Sequence, residues 1–175
     1  MALAALIVSI IALVVAVPTI AQMVWGKPEL IIRFGSKEIE GGKVMTCELY
    51  NYPIMWGVKR RIGIRRMPIE DLVADFSIAE YGSNKVIYPG CVPHILRYDG
   101  VIDAQRIELP ASTFPAYFGV AIVSYDAKAV KTYEENTDLP VGKYIAKVTA
   151  DFQENTREAE GILIVHKEYP YAYWE

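Results

Sequence analysis

The sequence predicts a mainly β protein: a single N-terminal transmembrane helix followed by one antiparallel β-sandwich that carries one short helix. Three observations lead there. From Ala2 to Trp25 no side chain is charged, and from Ala2 to Val17 only Ser9 is polar. Beyond residue 27, short segments alternate apolar and polar residues and are punctuated by turn residues about every ten positions. Twelve tyrosines and ten prolines suit strands and turns better than a helical bundle.

At about 1.5 Å of rise per residue the uncharged run reaches roughly 36 Å as a helix, enough for a bilayer core of about 30 Å with some tilt. Trp25 stands where a membrane–water interface favours an amphipathic ring, and Lys27 is the first charge. A cleaved secretory signal would show a basic leading segment, an apolar core of about 7–15 residues and a small-x-small cleavage site. The basic segment is missing, the core is too long, and Thr19-Ile20-Ala21 beside Pro18 is a mediocre site. Residues 1–27 are therefore expected to be an anchor with its interfacial flank, and residues 28–175 a single sandwich domain. Ala5, Ser9, Ala12 and Ala16, continued by Ala2, Thr19 and Met23, repeat at helical spacing as one narrow stripe. In lipid, small residues let backbones approach, so the stripe is a candidate packing face for a second copy or another membrane protein. Lys27, Arg33, Lys37 and Lys43 follow the helix while no Lys or Arg precedes it. The positive-inside rule then favours a single-pass protein of the cell membrane with its domain in the cytoplasm. The opposing consideration is that large domains translocate largely regardless of charge.

Strands are expected in order. Glu29–Ser36 places Leu30, Ile32 and Phe34 on one face, and Glu40-Gly41-Gly42-Lys43 is a turn. Val44–Tyr50 sets Met45, Cys47 and Leu49 against Thr46, Glu48 and Tyr50. Val58–Arg66 reads as a strand with Ile62 and Ile64 on one face and Lys59, Arg61 and Arg65 on the other. Ala74, Phe76 and Ile78 alternate with Asp75 and Ser77, and Gly82-Ser83-Asn84 turns the chain into Lys85–Tyr88. Pro89–Asp103 is mostly loop, with room for one short strand, and Gln105–Leu109 is another short strand. Tyr117–Tyr125 is a continuous apolar run of strand length, as expected where both faces are covered. Asp126 could cap a short helix over Ala127–Glu135, with Lys131 and Glu135 one turn apart. Lys143–Asp151 alternates again, a polar turn spans Glu154–Arg157, and Gly161–His166 is the last strand. Tyr169–Trp174, rich in aromatic rings, either packs along the sandwich or dips toward the bilayer, packing being the default.

The segment Leu139-Pro140-Val141-Gly142-Lys143-Tyr144 resembles the corner that enters the penultimate strand of immunoglobulin-like sandwiches. There a Gly-x-Tyr places a tyrosine hydroxyl on upstream backbone, which would make Gly142 and Tyr144 a structural corner. The likeness covers about 30 residues and concerns fold alone. Ala146 stands where antibody-type domains carry their second cysteine.

Chemistry is sparsely signalled. With 18 basic and 21 acidic residues the net charge is −3, which excludes a global field for nucleic acid. Gly41-Gly42-Lys43 lacks the longer loop and hydroxyl of a phosphate cradle, and no Gly-x-Ser-x-Gly elbow occurs. Two cysteines, Cys47 and Cys91, suit either one disulfide or two buried thiols. With His94 and His166 they offer metal-ligand types, but only Cys91 and His94 are close in sequence, so neither a metal nor a cofactor is expected. Lys59, Arg60, Arg61, Arg65 and Arg66 form the one charged cluster above background. It reads as an exposed edge strand protected by charge, or as a membrane-surface patch on anionic headgroups at about 1 kcal/mol per cation. The alternation with Ile62 and Ile64 favours the strand. The expected role is a membrane-anchored, non-catalytic binding or scaffolding module, or an accessory subunit, whose partners are the bilayer and a second copy or other membrane protein. The rival is an anchored enzyme that uses Cys47 or Cys91 with a histidine.

Overall fold

A computed structural model describes residues 2–54, 57–61, 63–83, 85–97 and 105–175. Helix α1 (Ala2–Trp25) is followed by β1 (Ile31–Ile39), β2 (Gly42–Tyr50), α2 (Val58–Arg61), β3 (Ile69–Glu80), β4 (Val86–Cys91) and β5 (Leu96–Arg97). Then come β6 (Arg106–Leu109), β7 (Ala116–Ser124), β8 (Ala129–Thr132), β9 (Gly142–Phe152), β10 (Asn155–Val165) and β11 (Ala172–Trp174). Among the described residues these strands make two antiparallel sheets, an arrangement compatible with a β-sandwich. One runs β1-β2-β7, with β5 and β8 sharing the far edge of β7. The other runs β11-β10-β9-β3, with β4 and β6 sharing the far edge of β3.

Period-2 patterning decides which side chains meet between the sheets. From β2 come Met45, Cys47 and Leu49, from β3 Leu72, Ala74, Phe76 and Ile78, and from β9 Tyr144, Ala146, Val148 and Ala150, all buried. Phe76 of one sheet packs on Phe118 of the other with ring centroids 5.3 Å apart, and on Tyr88 at 5.1 Å. The register of β2 on β7 shifts between Met45 and Thr46, so that Val120 and Ala121 are both buried. That bulge accommodates the unbroken apolar run of β7. At the opposite seam Phe34 of β1 lies against Gly161 of β10, where a side chain would have no room. Trp174 closes the same seam, its ring 4.6 Å from Phe34 and its indole N–H donating to Gly35 O at 2.7 Å. The C-terminal aromatic segment thus packs along the sheets.

Three expectations are corrected. Val58–Arg66 is not a strand: α2 is a single helical turn, closed by Ile64 N–H to Lys59 O (3.0 Å) and Gly63 N–H to Arg60 O (3.0 Å). Gly57 (φ 96°) and Gly63 (φ 81°) bracket it in a conformation that reverses the chain and that a strand cannot contain. Ile64 is buried, and Ile62 lies outside the described residues. The helix expected over 127–135 is also absent. The free edge of β7 offered ladder hydrogen bonds, and β8 took them, burying Val130 and Thr132. Lys131 accordingly pairs with Asp138 (3.8 Å) across the chain reversal instead of with Glu135 along a helix. The turn placed at Glu154–Arg157 is tighter, with Gln153 (φ 45°) and Glu154 (φ 64°) joining β9 to a β10 that begins at Asn155. The early part of β10 is polar because β11 covers only Leu163–Val165, which leaves Asn155–Glu160 at a sheet edge. Of the two alternatives open for the cysteines, the structure has free thiols: Cys47 and Cys91 lie on different sheets.

Gly142 opens β9, and the Tyr144 hydroxyl donates to Pro140 O at 2.6 Å, tying the buried ring to backbone four residues upstream. Tyr144→Phe removes that bond alone and should cost roughly 0.5–1.5 kcal/mol, whereas Tyr144→Ala also empties core and should cost about 3–5. Thermal or denaturant unfolding of the full chain in detergent reads both. Equal midpoints for wild type and Tyr144→Ala would show that the corner contributes nothing to stability.

Candidate functional site

A set of specific contacts ties the end of α1 to the loop that precedes β3. Gln22, one turn before the helix ends, lays its carboxamide along the backbone of Arg65: Nε2 donates to Arg65 O at 2.6 Å, and Arg65 N–H donates to Oε1 at 3.0 Å. Gly26 O accepts from Met67 N–H at 2.7 Å. A Cβ at Gly26 would collide with both the Gln22 side chain and the Arg65 carbonyl, so the close approach depends on glycine.

Beneath this clamp sits Asn51, fully buried at the end of β2. Its Nδ2 donates to Met67 O (2.9 Å) and Leu109 O (3.2 Å), its Oδ1 accepts from Glu29 N–H (3.3 Å), and its carbonyl accepts from Ser112 N–H (2.9 Å). One side chain thereby joins the post-helix linker, the basic loop and the end of β6. Arg66 adds a second tie. It donates to Tyr52 O (2.9 Å) and Lys27 O (3.1 Å) and pairs with Glu29 at 2.9 Å. Nearby, Arg33 lies against the stacked rings of Tyr50 and Tyr52, at 5.5 and 5.6 Å from their centroids.

The five predicted cations consequently divide. Arg66 is half-buried and engaged in structure, while Lys59, Arg60, Arg61 and Arg65 are exposed beside the last turn of α1, with Lys27 exposed on the linker. Two grooves flank the clamp. One, of about 610 Å³, lies between Pro53, Ile54, Arg60, Ile64, Arg65 and Ala111. The other, of about 640 Å³, runs from Met23 on the helix past Lys27 to Thr156 and Arg157 on the β9–β10 hairpin. Sequence reasoning found the cations and missed Gln22 and Asn51. A lone amide near the end of an apolar helix was the available signal for the first, and nothing in the pattern marks the second.

The other candidates are dispersed. Cys47 is buried in β2, and burial together with the Glu48 charge pushes its thiol far up. Cys91 ends β4 and accepts a hydrogen bond from the Tyr88 hydroxyl at 3.0 Å. Desolvation raises its pKa, the Tyr88 bond lowers it in part, and the Glu134, Asp75 and Glu135 charges raise it further. His94 is turned to Glu134, with Nδ1 3.8 Å from Oε2, and His166 stacks on Tyr173 at 5.6 Å. Both thiols are held in the unreactive neutral form. Among the described residues no three His, Cys, Asp or Glu side chains gather as a metal site. On the helix, Ser9, Ala12 and Ala16 lie on exposed surface, and the side chain of Ala5 lies outside the described residues.

No family model matches this chain, and no curated protein or solved structure matches it significantly.

Two outcomes follow from this geometry. Asn51→Ala leaves three backbone groups without this partner, the Leu109 carbonyl among them in the interior, and should cost about 1–3 kcal/mol, read as the loss in unfolding free energy of the full chain, where an unchanged midpoint would deny Asn51 its role. For the thiols, a raised pKa means a smaller thiolate fraction at any given pH. Cys91 should therefore label more slowly than free cysteine at pH 8, with its rate still climbing above pH 9, and Cys47 should label only on unfolding. Fast labelling of either at neutral pH would restore the thiol-enzyme reading.

Proposed function

We propose that the chain is a single-pass protein of the cell membrane in which α1 crosses the bilayer and residues 28–175 form a cytoplasmic sandwich. In this reading the sandwich serves as a non-catalytic binding or scaffolding module, or as an accessory subunit of a larger membrane complex. One observation carries it: Leu6–Trp25 is long and apolar enough to span, and none of that helix is buried against the rest of the described chain. Such a rod has no stable place in water. The stretch suited to signal cleavage is itself helical, with the Thr19 hydroxyl donating to Val15 O at 3.1 Å, and the next turn is clamped to the domain, which favours an anchor over a cleaved signal. Sidedness rests on Lys27, Arg33, Lys37 and Lys43, the positive charges that follow the helix.

The immunoglobulin-like character of the sandwich belongs to the same proposal, supported by the bond from Tyr144 to Pro140. So does a packing role for Ala5, Ser9, Ala12 and Ala16 toward a second copy or another membrane protein. The binding role draws support from the far end of the sheets, where Tyr81, Val141, Tyr169 and Tyr173 are exposed away from the helix.

Washing membranes with alkaline carbonate should leave the full chain in the pellet. Protease added to intact cells should leave residues 28–175 uncut, while the same protease should digest them once the cells are opened. Release by carbonate would refute the anchor, and cleavage from outside would reverse the topology.

A further inference from the structure

We propose that the end of the sandwich nearest α1 is a seat for the headgroups of anionic phospholipids, formed by Lys27, Lys59, Arg60, Arg61, Arg65 and Arg157. This deepens the anchored reading and rests on it.

Position is the first element. If α1 spans the bilayer, Leu6–Trp25 covers about 30 Å of hydrocarbon, so Gln22 and Trp25 lie at the headgroup level of its C-terminal leaflet. The backbone of Arg65 is hydrogen-bonded to Gln22 itself, and Met67 to Gly26. The basic loop is thus held at that depth, although Lys59 lies 34 residues beyond Trp25 in the chain. The helical turn of α2 closes onto Ile64, immediately before Arg65, and this keeps Lys59, Arg60 and Arg61 within a few residues of the clamp.

Charge is the second element. Lys59, Arg60, Arg61, Arg65 and Lys27 are exposed at this end, and Arg157 is exposed on the β9–β10 hairpin across the groove from Lys27. The carboxylate of Glu29, which lines that groove, is paired with Arg66, and Asp151 accepts from the Thr156 hydroxyl at 2.6 Å. Asp151, Glu154 at the hairpin tip and Glu70 at the start of β3 are the exposed acids at this end, fewer than its cations. The chain as a whole is acidic, at −3, so this rim stands against the overall field. Shape is the third element. The groove beside Lys27 and Arg157 begins at Met23, on the bilayer side of the linker, and rises to the cations. An acyl chain below and a phosphate above match that order of surfaces. A soluble anion would have no use for its apolar end.

The test uses the full chain in mixed micelles of phosphatidylglycerol and phosphatidylcholine in equal amounts, with retained lipid counted by native mass spectrometry. Wild type should retain phosphatidylglycerol over phosphatidylcholine by about fivefold or more at low salt, and the preference should shrink at high salt. The triple variant Lys59→Gln, Arg60→Gln, Arg61→Gln should lower the ratio toward one. Lys85→Gln, an exposed charge at the opposite end of the sheets, should leave it unchanged. Equal retention of the two lipids by wild type, an undiminished ratio in the triple variant, or the same loss in Lys85→Gln would each overturn the proposal. Displacement of the lipid by inorganic phosphate alone would also overturn it, because the site would then be one for free anions. Carbonate extraction of the same wild-type chain separates the two readings. A chain that resists extraction but shows no headgroup preference loses the seat and keeps the anchor, and a chain released by carbonate loses both.

Discussion

A buried carboxamide must find partners for its N–H donors and its carbonyl, or the fold bears the cost of desolvating them. Asn51 meets that demand with backbone groups from three separate segments: the linker at Glu29, the basic loop at Met67 and the end of β6 at Leu109. Glu29 and Met67 lie outside the strands, so there the side chain supplies the hydrogen bonds a sheet would otherwise provide, and at Leu109 it caps β6 where the pairing with Ile69 of β3 ends. The end of the sheets nearest α1 is organised by this one residue. Gln22 repeats the device on the helix side, where its amide imitates a strand edge for Arg65.

The two amides together make the junction stiff. A helix joined to a domain by a free linker would let the domain tumble relative to the helix. Here Gly26 approaches too closely for a side chain, Met67 bonds to it, and Arg66 spans Tyr52, Lys27 and Glu29. The orientation of the sandwich relative to α1 is thereby set by hydrogen bonds. The aromatic surface around Tyr81, Tyr169 and Tyr173 is carried at the end away from the helix, as a consequence of strand direction: β1 leaves the linker at Ile31 and turns only after Ile39.

Cations in this chain have two kinds of work. Arg33 lies on the Tyr50 and Tyr52 rings, and Lys37 sits 3.1 Å from the centroid of Tyr117, where burial lowers its pKa and the Glu48 charge only partly restores it. These charges, like Arg66, are consumed in holding the fold. Lys59, Arg60, Arg61 and Arg65 are exposed, and that exposure is what turns a run of basic residues into a charged surface.

Alternation in the chain already carried the two sheets. Met45, Cys47 and Leu49, or Ala74, Phe76 and Ile78, can bury one face only as strands, because the two-residue period is a local property of backbone geometry. The uncharged run from Ala2 to Trp25 was equally legible, since its length and apolarity need no partner to be recognised. Where local preference was weak, distant chain decided. Ala129–Thr132 became a strand because β7 had an open edge, and Val58–Arg61 became a helical turn because Gly57 and Gly63 reverse the chain where no strand stood to pair with it. The clamp was hidden for the same reason. Gln22 and Arg65 are 43 residues apart, and a hydrogen bond from a side chain to backbone leaves no periodic trace, so it exists only once the fold has brought the two together.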